Sequence, residues 1–345
     1  MTCDTLQRID GSVDLIESHF SPLLLPAESV AHIRKVAGML PVGAVDFFGF
    51  ECRLGPEIAP ADCAFNLTPE GARMLAGRGD APPPEELQQG AWERIREFYG
   101  LWADTAETPF ADAGSTWFEF DVSSGQPSPN MLFGYWPGRS PARTPEWLID
   151  TIIPLLLATP ISPEFRKTFL HCFDVLPPGT GDFQIGVMLS RGIAAIRLCV
   201  FDLPEAQIFP WLDRIGWNGP REQLRQYMDA LRPHADFLGL HLDVGEQVYP
   251  HIGIEPNFTA GCWSRQPHRE QRWHGQFQQL IELGVMTAEK RQALLSWIGH
   301  KSIVSGGGDM LLLRGLSHLK VVLRPGRPAL AKGYFGIAHR VLGEV

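Results

Sequence analysis

The residues with the clearest chemical pattern lie near the end of the chain, in residues 317–337. Lys320 and Lys332 belong to two strand-like segments, and Tyr334 follows Lys332 at a spacing of two. Because strand side chains alternate between faces, Lys332 and Tyr334 share one face. Pro325 and Gly326 between the segments favour a turn. The sequence therefore predicts a hairpin with one apolar face and one mostly basic face, which is suited to an anion.

Similar alternation recurs upstream, but with acidic residues on the polar face. The acidic positions are Glu51, Asp62, Glu119, Asp121, Asp243 and Glu255. Further cations on these segments are Arg53 and Arg197. Carboxylates in such positions can remove a proton from a bound substrate or orient it.

The segments that carry these residues come in pairs with helical patterns between them. Helix starts are marked by Thr68-Pro69-Glu70, Thr144-Pro145-Glu146 and Ser162-Pro163-Glu164, each with a capping side chain followed by proline. The result is five helix–strand–strand–helix units. The predicted strand pairs are 47–54 with 62–67, 117–122 with 130–136, 182–191 with 193–201, 237–244 with 251–257, and the final hairpin.

Five hairpins with helices between them can close into a ten-stranded antiparallel barrel, an α+β fold. The aliphatic strand faces would then lie under an outer layer of helices, and the polar faces would line a lumen. Two separate α+β sandwiches with solvated outer faces are the alternative. We expect residues 1–28 to form an irregular arm and residues 29–345 to form one barrel domain.

Composition excludes several classes of function. The 345-residue chain has a net charge of −9, which argues against nucleic acid or an anionic membrane as the main partner. The six cysteines have no CxxC spacing, and we expect buried free thiols of a cytoplasmic protein. The start of the chain lacks a signal-peptide pattern, and the apolar window 147–157 is too short to span a membrane.

The five αββα units resemble the ABBA-type aromatic prenyltransferases, and Lys332-Gly333-Tyr334 is similar to the Lys-x-Tyr feature on a strand of that family. The resemblance implies a barrel enzyme that moves an allylic prenyl group from its diphosphate to an aromatic or peptide side chain. It implies that inward-facing cations and a tyrosine bind the diphosphate: Lys332, Tyr334, Lys320, Arg197 and Arg53. The acidic lumen departs from this pattern, which makes Mg²⁺ a candidate cofactor.

Electrophilic alkylation needs three kinds of group, and the sequence offers candidates for each. The diphosphate ligands are those above. Glu119, Glu255 and Glu51 are the candidate catalytic carboxylates. Trp117, Tyr135 or Trp136 would shield the allylic cation, and Asp243 would contact the acceptor.

Other interpretations stay open at this stage. Lysines and arginines could pair with carboxylates to give a satisfied polar interior, as in a barrel that binds a peptide or small ligand without catalysis. The carboxylates could bind a cationic acceptor, or serve an isomerase or cyclase of the same fold. His241, His251 and His318 with Asp243 and Glu255 have the chemistry of zinc or iron ligands, although no local metal motif accompanies them and we expect no metal site. Gly306-Gly307-Gly308 could form a lid.

Overall fold

A computed structural model describes residues 7–80, 82–104, 116–121, 129–136, 142–178, 180, 182–190, 194–303 and 309–341. Some residues of the predicted elements lie outside these ranges. They are residues 1–6 of the predicted arm, Val122 of the second strand pair, Arg191 and Ile193 of the third strand pair, and the glycine loop 306–308.

One antiparallel sheet of eleven strands forms the centre of the described structure. The strands run in the order β11-β1-β2-β3-β4-β5-β6-β7-β8-β10-β9, and β11 also pairs with β10. Their bounds are β1 Val45–Arg53, β2 Asp62–Leu67, β3 Trp117–Phe120, β4 Pro129–Tyr135, β5 Phe183–Val187, β6 Ile196–Val200, β7 Phe237–Val244, β8 Val248–Asn257, β9 Gly299–Ile303, β10 Met310–Arg324 and β11 Arg327–Val341.

The pairing of β11 with both β1 and β10 closes the sheet into a barrel. Ten strands form the wall, and β9 is an additional strand that pairs only with Met310–Arg314 at the start of β10. The last hairpin is longer than the sequence indicated, since each of its strands has 15 residues. The five hairpins and the closed ten-stranded antiparallel barrel are confirmed, and the two-sandwich alternative is wrong.

Helices surround the barrel wall. They lie at Ile9–Ile16, Ala27–Ala37, Pro69–Leu75, Ala91–Asp104, Pro145–Trp147, Ile153–Leu157, Pro163–Asp174, Glu205–Arg214, Arg221–Leu231, Arg272–Glu282 and Ala288–Trp297, with a π-helical turn at Leu148–Ile152. The predicted capping residues are confirmed: the side chains of Thr68, Thr144 and Ser162 accept hydrogen bonds from the backbone N–H groups of Gly71, Trp147 and Phe165.

The hydrophobic core lies between the helices and the outer face of the barrel. The helix Ala91–Asp104 illustrates the packing: Trp92 contacts Phe118 of β3 with ring centroids 5.3 Å apart, and Phe98 contacts Phe133 of β4 at 5.0 Å. Aromatic pairs of this kind contribute about 0.5–1.5 kcal/mol beyond their buried area. The apolar strand faces therefore point outward, as the alternation predicted, and the polar faces point into the lumen.

The prediction of an irregular segment before residue 29 is wrong. Ile9–Ile16 is a helix whose Ile9, Val13 and Ile16 are fully buried. It is joined to the barrel by a hydrogen bond between Ser12 Oγ and His339 Nε2 of β11, 2.8 Å apart. The apolar spacing of i, i+4 and i+7 marks a helix, but the pattern covers only two turns. The division of the chain into an arm and a barrel domain stays a prediction.

The five described cysteines are free thiols: Cys52, Cys63, Cys172 and Cys199 are buried, and Cys262 is half-buried. Within the described ranges, none of the helices is both long enough and apolar enough to cross a bilayer.

Closure of the barrel depends on close approach of β11 and β1 at Gly336. A Cβ atom at this position would lie 2.3 Å from the carbonyl oxygen of Phe48 and 2.7 Å from the Phe47 ring. We expect Gly336→Ala to lower the free energy of unfolding by about 1–3 kcal/mol, the usual cost of overpacking, as measured by urea denaturation.

Gly100 gives the matched control, because it lies in the helix Ala91–Asp104 and a Cβ atom added there would have no neighbour within 4 Å. Gly100→Ala should leave stability unchanged or raise it by up to about 1 kcal/mol through helix propensity. Equal unfolding curves for the two variants would contradict the proposed role of Gly336.

Candidate active site

The lumen contains two adjacent cavities with different linings. The larger, of about 510 Å³, is bounded by five cationic and five acidic side chains, and we call it the charged chamber. Its cations are Arg53, Arg197, Lys320, Arg324 and Lys332, and its acids are Glu51, Asp62, Glu119, Asp121 and Asp243. Several of these residues lie at strand ends beside the hairpin turns, so the charged chamber occupies the hairpin-turn end of the barrel.

The second cavity, of about 260 Å³, occupies the other end of the lumen, and we call it the aromatic chamber. Phe47, Trp117, Leu132 and Phe201 supply its apolar lining. Ala64, Glu119, His241, Lys320 and Tyr334 line both cavities and so form the junction between them. A ligand that spans the junction would have its charged part among cations and its apolar part among aromatic rings.

Three cations form a row across neighbouring strands of the charged chamber. Lys332 of β11 pairs in register with Arg53 of β1 on one side and with Lys320 of β10 on the other. Residues directly opposite in an antiparallel pair have Cα atoms about 4.5–5.5 Å apart. Like charges at this spacing repel each other, so a bound anion in contact with the row would stabilise it.

Glu51 partly neutralises the row. Its carboxylate forms an ion pair with Lys332 Nζ and accepts a hydrogen bond from the Tyr334 hydroxyl at 2.5 Å. Burial alone would raise the pKa of Glu51, but attraction to Lys332 and the two hydrogen bonds outweigh it, so the pKa is lowered. Burial and the nearby Glu51 charge raise the pKa of Tyr334, which stays a phenol. Glu51 is thus an ionised carboxylate with two partners.

Arg197 and Asp243 form the corresponding pair on the opposite side of the chamber. Arg197 Nε and Asp243 Oδ1 are 2.9 Å apart, and His251 Nε2 lies 2.8 Å from Asp243 Oδ2. Burial opposes ionisation of Asp243, but the hydrogen bond to His251 and the Arg197 charge prevail and lower its pKa. Arg197, one of the cations that the resemblance assigns to the diphosphate, is therefore already paired with Asp243.

His241 is the centre of a buried polar cluster at the junction. Its Nε2 lies 2.9 Å from Glu255 Oε2, and its Nδ1 lies 3.0 Å from both Lys320 Nζ and Cys199 Sγ. Burial and the nearby Lys320 charge lower the pKa of His241 to about 4, so the imidazole is neutral near pH 7. Burial raises the pKa of Glu255, but His318 and His241 outweigh it and the net shift is downward.

The Lys320 ammonium has no carboxylate partner among the described residues. The side chain is 8% exposed, and its Nζ contacts the neutral His241 ring. Burial and the nearby Arg197 charge lower its pKa. Arg53 and Arg324 also form no ion pair within the described ranges, although both are exposed. Three cations around one chamber are therefore available to an anionic ligand.

Glu119 is the acidic counterpart of Lys320, because its carboxylate also lacks an ion-pair partner among the described residues. Among the residues that the structure describes, its carboxylate forms neither a hydrogen bond nor an ion pair, although it lines both chambers. Burial and the nearby Glu51 charge raise its pKa. A carboxylate that lacks a partner and has an elevated proton affinity can act as a base toward a bound ligand.

The structure places most of the predicted site residues in the lumen. Glu51, Arg53, Glu119, Arg197, Asp243, Lys320, Lys332 and Tyr334 line the charged chamber, and Trp117 and Glu255 line the aromatic chamber. Their catalytic and binding roles stay predictions.

Two aromatic candidates lie elsewhere. Tyr135 points outward and packs against Phe173 with centroids 5.7 Å apart, so its assignment as a cation shield is wrong. Odd-numbered residues of β4 face the helices, and Tyr135 belongs to that set. Trp136 follows the end of β4 and is not among the residues that line either chamber.

The histidines do not assemble into a metal centre. No group of three or more His, Cys, Asp or Glu side chains with a metal-binding arrangement occurs within the described ranges. His241, His251 and His318 each face a carboxylate oxygen at 2.9, 2.8 and 3.8 Å, respectively. The expectations about metal binding, including magnesium, stay predictions.

Sequence reasoning missed several lining residues. Phe47 and Phe201 supply rings to the aromatic chamber, and Arg324 supplies a cation to the charged chamber. Phe47 and Arg324 were detectable, since each continues the inward phase of a strand already assigned: Phe47 precedes Gly49 and Glu51, and Arg324 follows Lys320 and Val322.

The chain resembles solved prenyltransferase structures at low sequence identity. It is 12% identical to 5-dimethylallyltryptophan synthase from Streptomyces coelicolor, with 95% of this chain and 97% of that chain covered and a TM-score of 0.49. It is 16% identical to the prenyltransferase PriB in its apo form, with 90% and 91% covered and a TM-score of 0.47. No protein-family model matches the sequence. No curated protein matches it either.

The neutral His241 makes stability depend on pH. The pKa falls from 6.5 to about 4 on folding, so the unfolded chain binds the proton more readily, and stability is lost as pH falls through this window. Gln can donate to Glu255 and accept from Lys320 without titrating. Between pH 7 and pH 4.5, we expect the wild type to lose roughly 2 kcal/mol more than His241→Gln, measured by urea denaturation at each pH.

The exposed His268 provides the control substitution. His268→Gln should retain the pH dependence of the wild type. If His241→Gln and His268→Gln lost the same stability on acidification, His241 would not be the titrating group.

Proposed function

We propose that the protein transfers an allylic prenyl group from its diphosphate to an aromatic acceptor in the barrel lumen. One observation carries this proposal: Lys320 and Glu119 line the same junction, and neither has an ion-pair partner among the described residues. A buried charge without a partner is costly. An allylic diphosphate with an acceptor supplies both missing partners, an anion for the cation and a proton for the carboxylate.

The row of Arg53, Lys332 and Lys320, together with Arg324, forms the proposed diphosphate wall. Each charge-assisted hydrogen bond to the leaving group would contribute roughly 1.5–3 kcal/mol. The nearby acids Glu51 and Asp243 are balanced by Lys332 and Arg197. Their repulsion toward a diphosphate is therefore reduced, which supports the proposal despite the acidic lining. Tyr334 could add a hydroxyl donor on release from Glu51.

The aromatic chamber would hold the acceptor and the allylic chain. Phe47 and Trp117 contact each other edge to face, with centroids 5.7 Å apart. Phe201 also lines this chamber. Aromatic faces attract a cation by about 2 kcal/mol when water is excluded. Such rings would stabilise an allylic cation and would also reduce its capture by water.

The proposed reaction breaks one C–O bond and forms one bond to the acceptor. The diphosphate leaves with the electron pair of the allylic C–O bond, and the electron-rich ring of the acceptor attacks the allylic carbon. The acceptor then loses a proton, and Glu119 is the proposed base. Glu51 and Glu255 are secondary candidates, because their carboxylates already have partners. Glu51 accepts hydrogen bonds from Lys332 and Tyr334, and Glu255 lies between His241 and His318.

A non-catalytic ligand-binding barrel is the second candidate function. The specific observation that favours it is the pairing of Lys332 with Glu51 and of Arg197 with Asp243, which satisfies two of the cations without a ligand. Binding and turnover experiments separate this candidate from the first proposal.

A peptide acceptor is compatible with the first proposal, since the charged chamber could accommodate a polar segment that flanks the prenylated side chain.

Donor binding is the first test. We expect dimethylallyl or geranyl diphosphate to give a saturable calorimetric signal, and Lys320→Met to weaken it about 10–100-fold through loss of a charge-assisted contact. Titrations with and without Mg²⁺ test the cofactor prediction. The exposed Lys35→Met serves as the control. No heat with either donor, in the presence or absence of Mg²⁺, would rule out the proposed function.

Proton removal is the second test. Glu119→Gln keeps the size of the side chain but cannot accept the proton, and it should lower kcat about 10²–10⁴-fold. Donor affinity should be retained or improved, since a negative charge beside the diphosphate is removed. Single-turnover assays with L-tryptophan, which is present in a ternary complex of PriB, and with simple phenols would measure it. The exposed Glu164→Gln is the control, and unchanged turnover in Glu119→Gln would exclude Glu119 as the base.

A further inference from the structure

His241 Nδ1 faces two potential donors at the same distance. Lys320 Nζ and Cys199 Sγ both lie 3.0 Å from it. The other ring nitrogen, Nε2, lies 2.9 Å from the carboxylate of Glu255, which can only accept a hydrogen bond when ionised. The neutral ring therefore carries its proton on Nε2, and Nδ1 presents one lone pair.

One lone pair cannot be fully used by two donors at once. The ring and both donors are buried: His241 is 6% exposed, Lys320 is 8% exposed and Cys199 is 0% exposed. These three side chains are therefore shielded from bulk solvent, although His241 and Lys320 also line the lumen cavities. Whichever donor leaves, the other is already in place.

We propose that Cys199 is a positioning residue that takes over the hydrogen bond at His241 Nδ1 when Lys320 turns toward an anion in the lumen. This rests on the anion-binding half of the proposed function. It explains how Lys320 can be held in place without a ligand and still be released at low cost. Without the thiol, movement of Lys320 would leave a buried acceptor unpaired, which is unfavourable.

The surroundings of Cys199 support this role over a nucleophilic one. The thiol packs with Leu132 and Met188 and is not among the residues that line either chamber. Burial, aided by the nearby Glu255 and Glu119 charges and opposed by Lys320 and Arg197, raises the pKa of Cys199 to about 12. The group therefore stays an S–H donor at neutral pH, and a thiolate nucleophile would require an accessible, electropositive site.

Titration with inorganic pyrophosphate tests the proposal. We expect Cys199→Ala to bind pyrophosphate about tenfold more weakly than the wild type, the effect of leaving one buried acceptor unpaired. Cys199→Ser keeps a donor of similar size, and its affinity should stay within about twofold of the wild type. Thermal unfolding identifies any variant that has lost its fold.

Equal affinity of Cys199→Ala and the wild type would overturn the proposal. So would equal weakening in Cys199→Ala and Cys199→Ser, because packing and not hydrogen bonding would then be responsible. If the wild type itself bound no pyrophosphate, the proposed diphosphate site would be wrong, and a measurement without ligand would decide the role of Cys199.

That measurement is the infrared S–H stretch in Lys320→Met. With the ammonium removed, Cys199 becomes the remaining described donor to His241 Nδ1, and its stretch should shift to lower frequency than in the wild type. Assignment of the band follows from its loss in Cys199→Ala. An unchanged stretch would show that the thiol and Lys320 do not compete for the ring, which would overturn the inference whatever binds in the lumen.

Discussion

Closure of the barrel by β11 is the constraint on which the lumen depends. β11 pairs with β1, the first strand, and with β10, so the two ends of the sheet meet and the ten strands leave no open edge in the wall. The same pairing brings Arg53, Lys332 and Lys320 into one row and Glu51 beside Tyr334. A shift of β11 by one residue would move Lys332 and Tyr334 to the apolar outer face and break this arrangement. The fold and the charge arrangement are thus fixed by one register.

The closing strands also determine the shape of the aromatic end. Gly49, Gly336 and Gly315 lie side by side on β1, β11 and β10. Their missing side chains leave room for Phe47 and for Trp263, whose rings are 6.0 Å apart and lie over these positions. At this end of the lumen, aromatic rings therefore pack over bare backbone, while the hairpin-turn end is lined by charged side chains. Two chemically different chambers result from one alternating wall.

The fold could be predicted from the sequence because apolar and polar residues alternate along strands whose two faces have different environments, the helices outside and the lumen inside. It placed Glu51, Glu119, Lys320 and Lys332 on the inner face correctly. It could not predict the first half of β10, because Met310, Leu311, Leu312 and Leu313 form an apolar run without alternation. It also missed the two-turn helix Ile9–Ile16, whose stability comes from packing against the barrel more than from its length. The assignment of Tyr135 as a cation shield was wrong for a related reason, since an aromatic residue at a strand end can occupy either face of the wall.

The pairing of charges was the part of the site that sequence could not supply. Which cation meets which carboxylate depends on strand order, and Glu51 and Lys332 are 281 positions apart in the chain. The pairs Lys332–Glu51 and Arg197–Asp243 reduce the cost of burying their own charges. Lys320 and Glu119 form no ion pair with any of the described residues, although both line the same lumen. Stability alone would favour apolar residues at these two positions, and this is the physical basis on which we propose a ligand there.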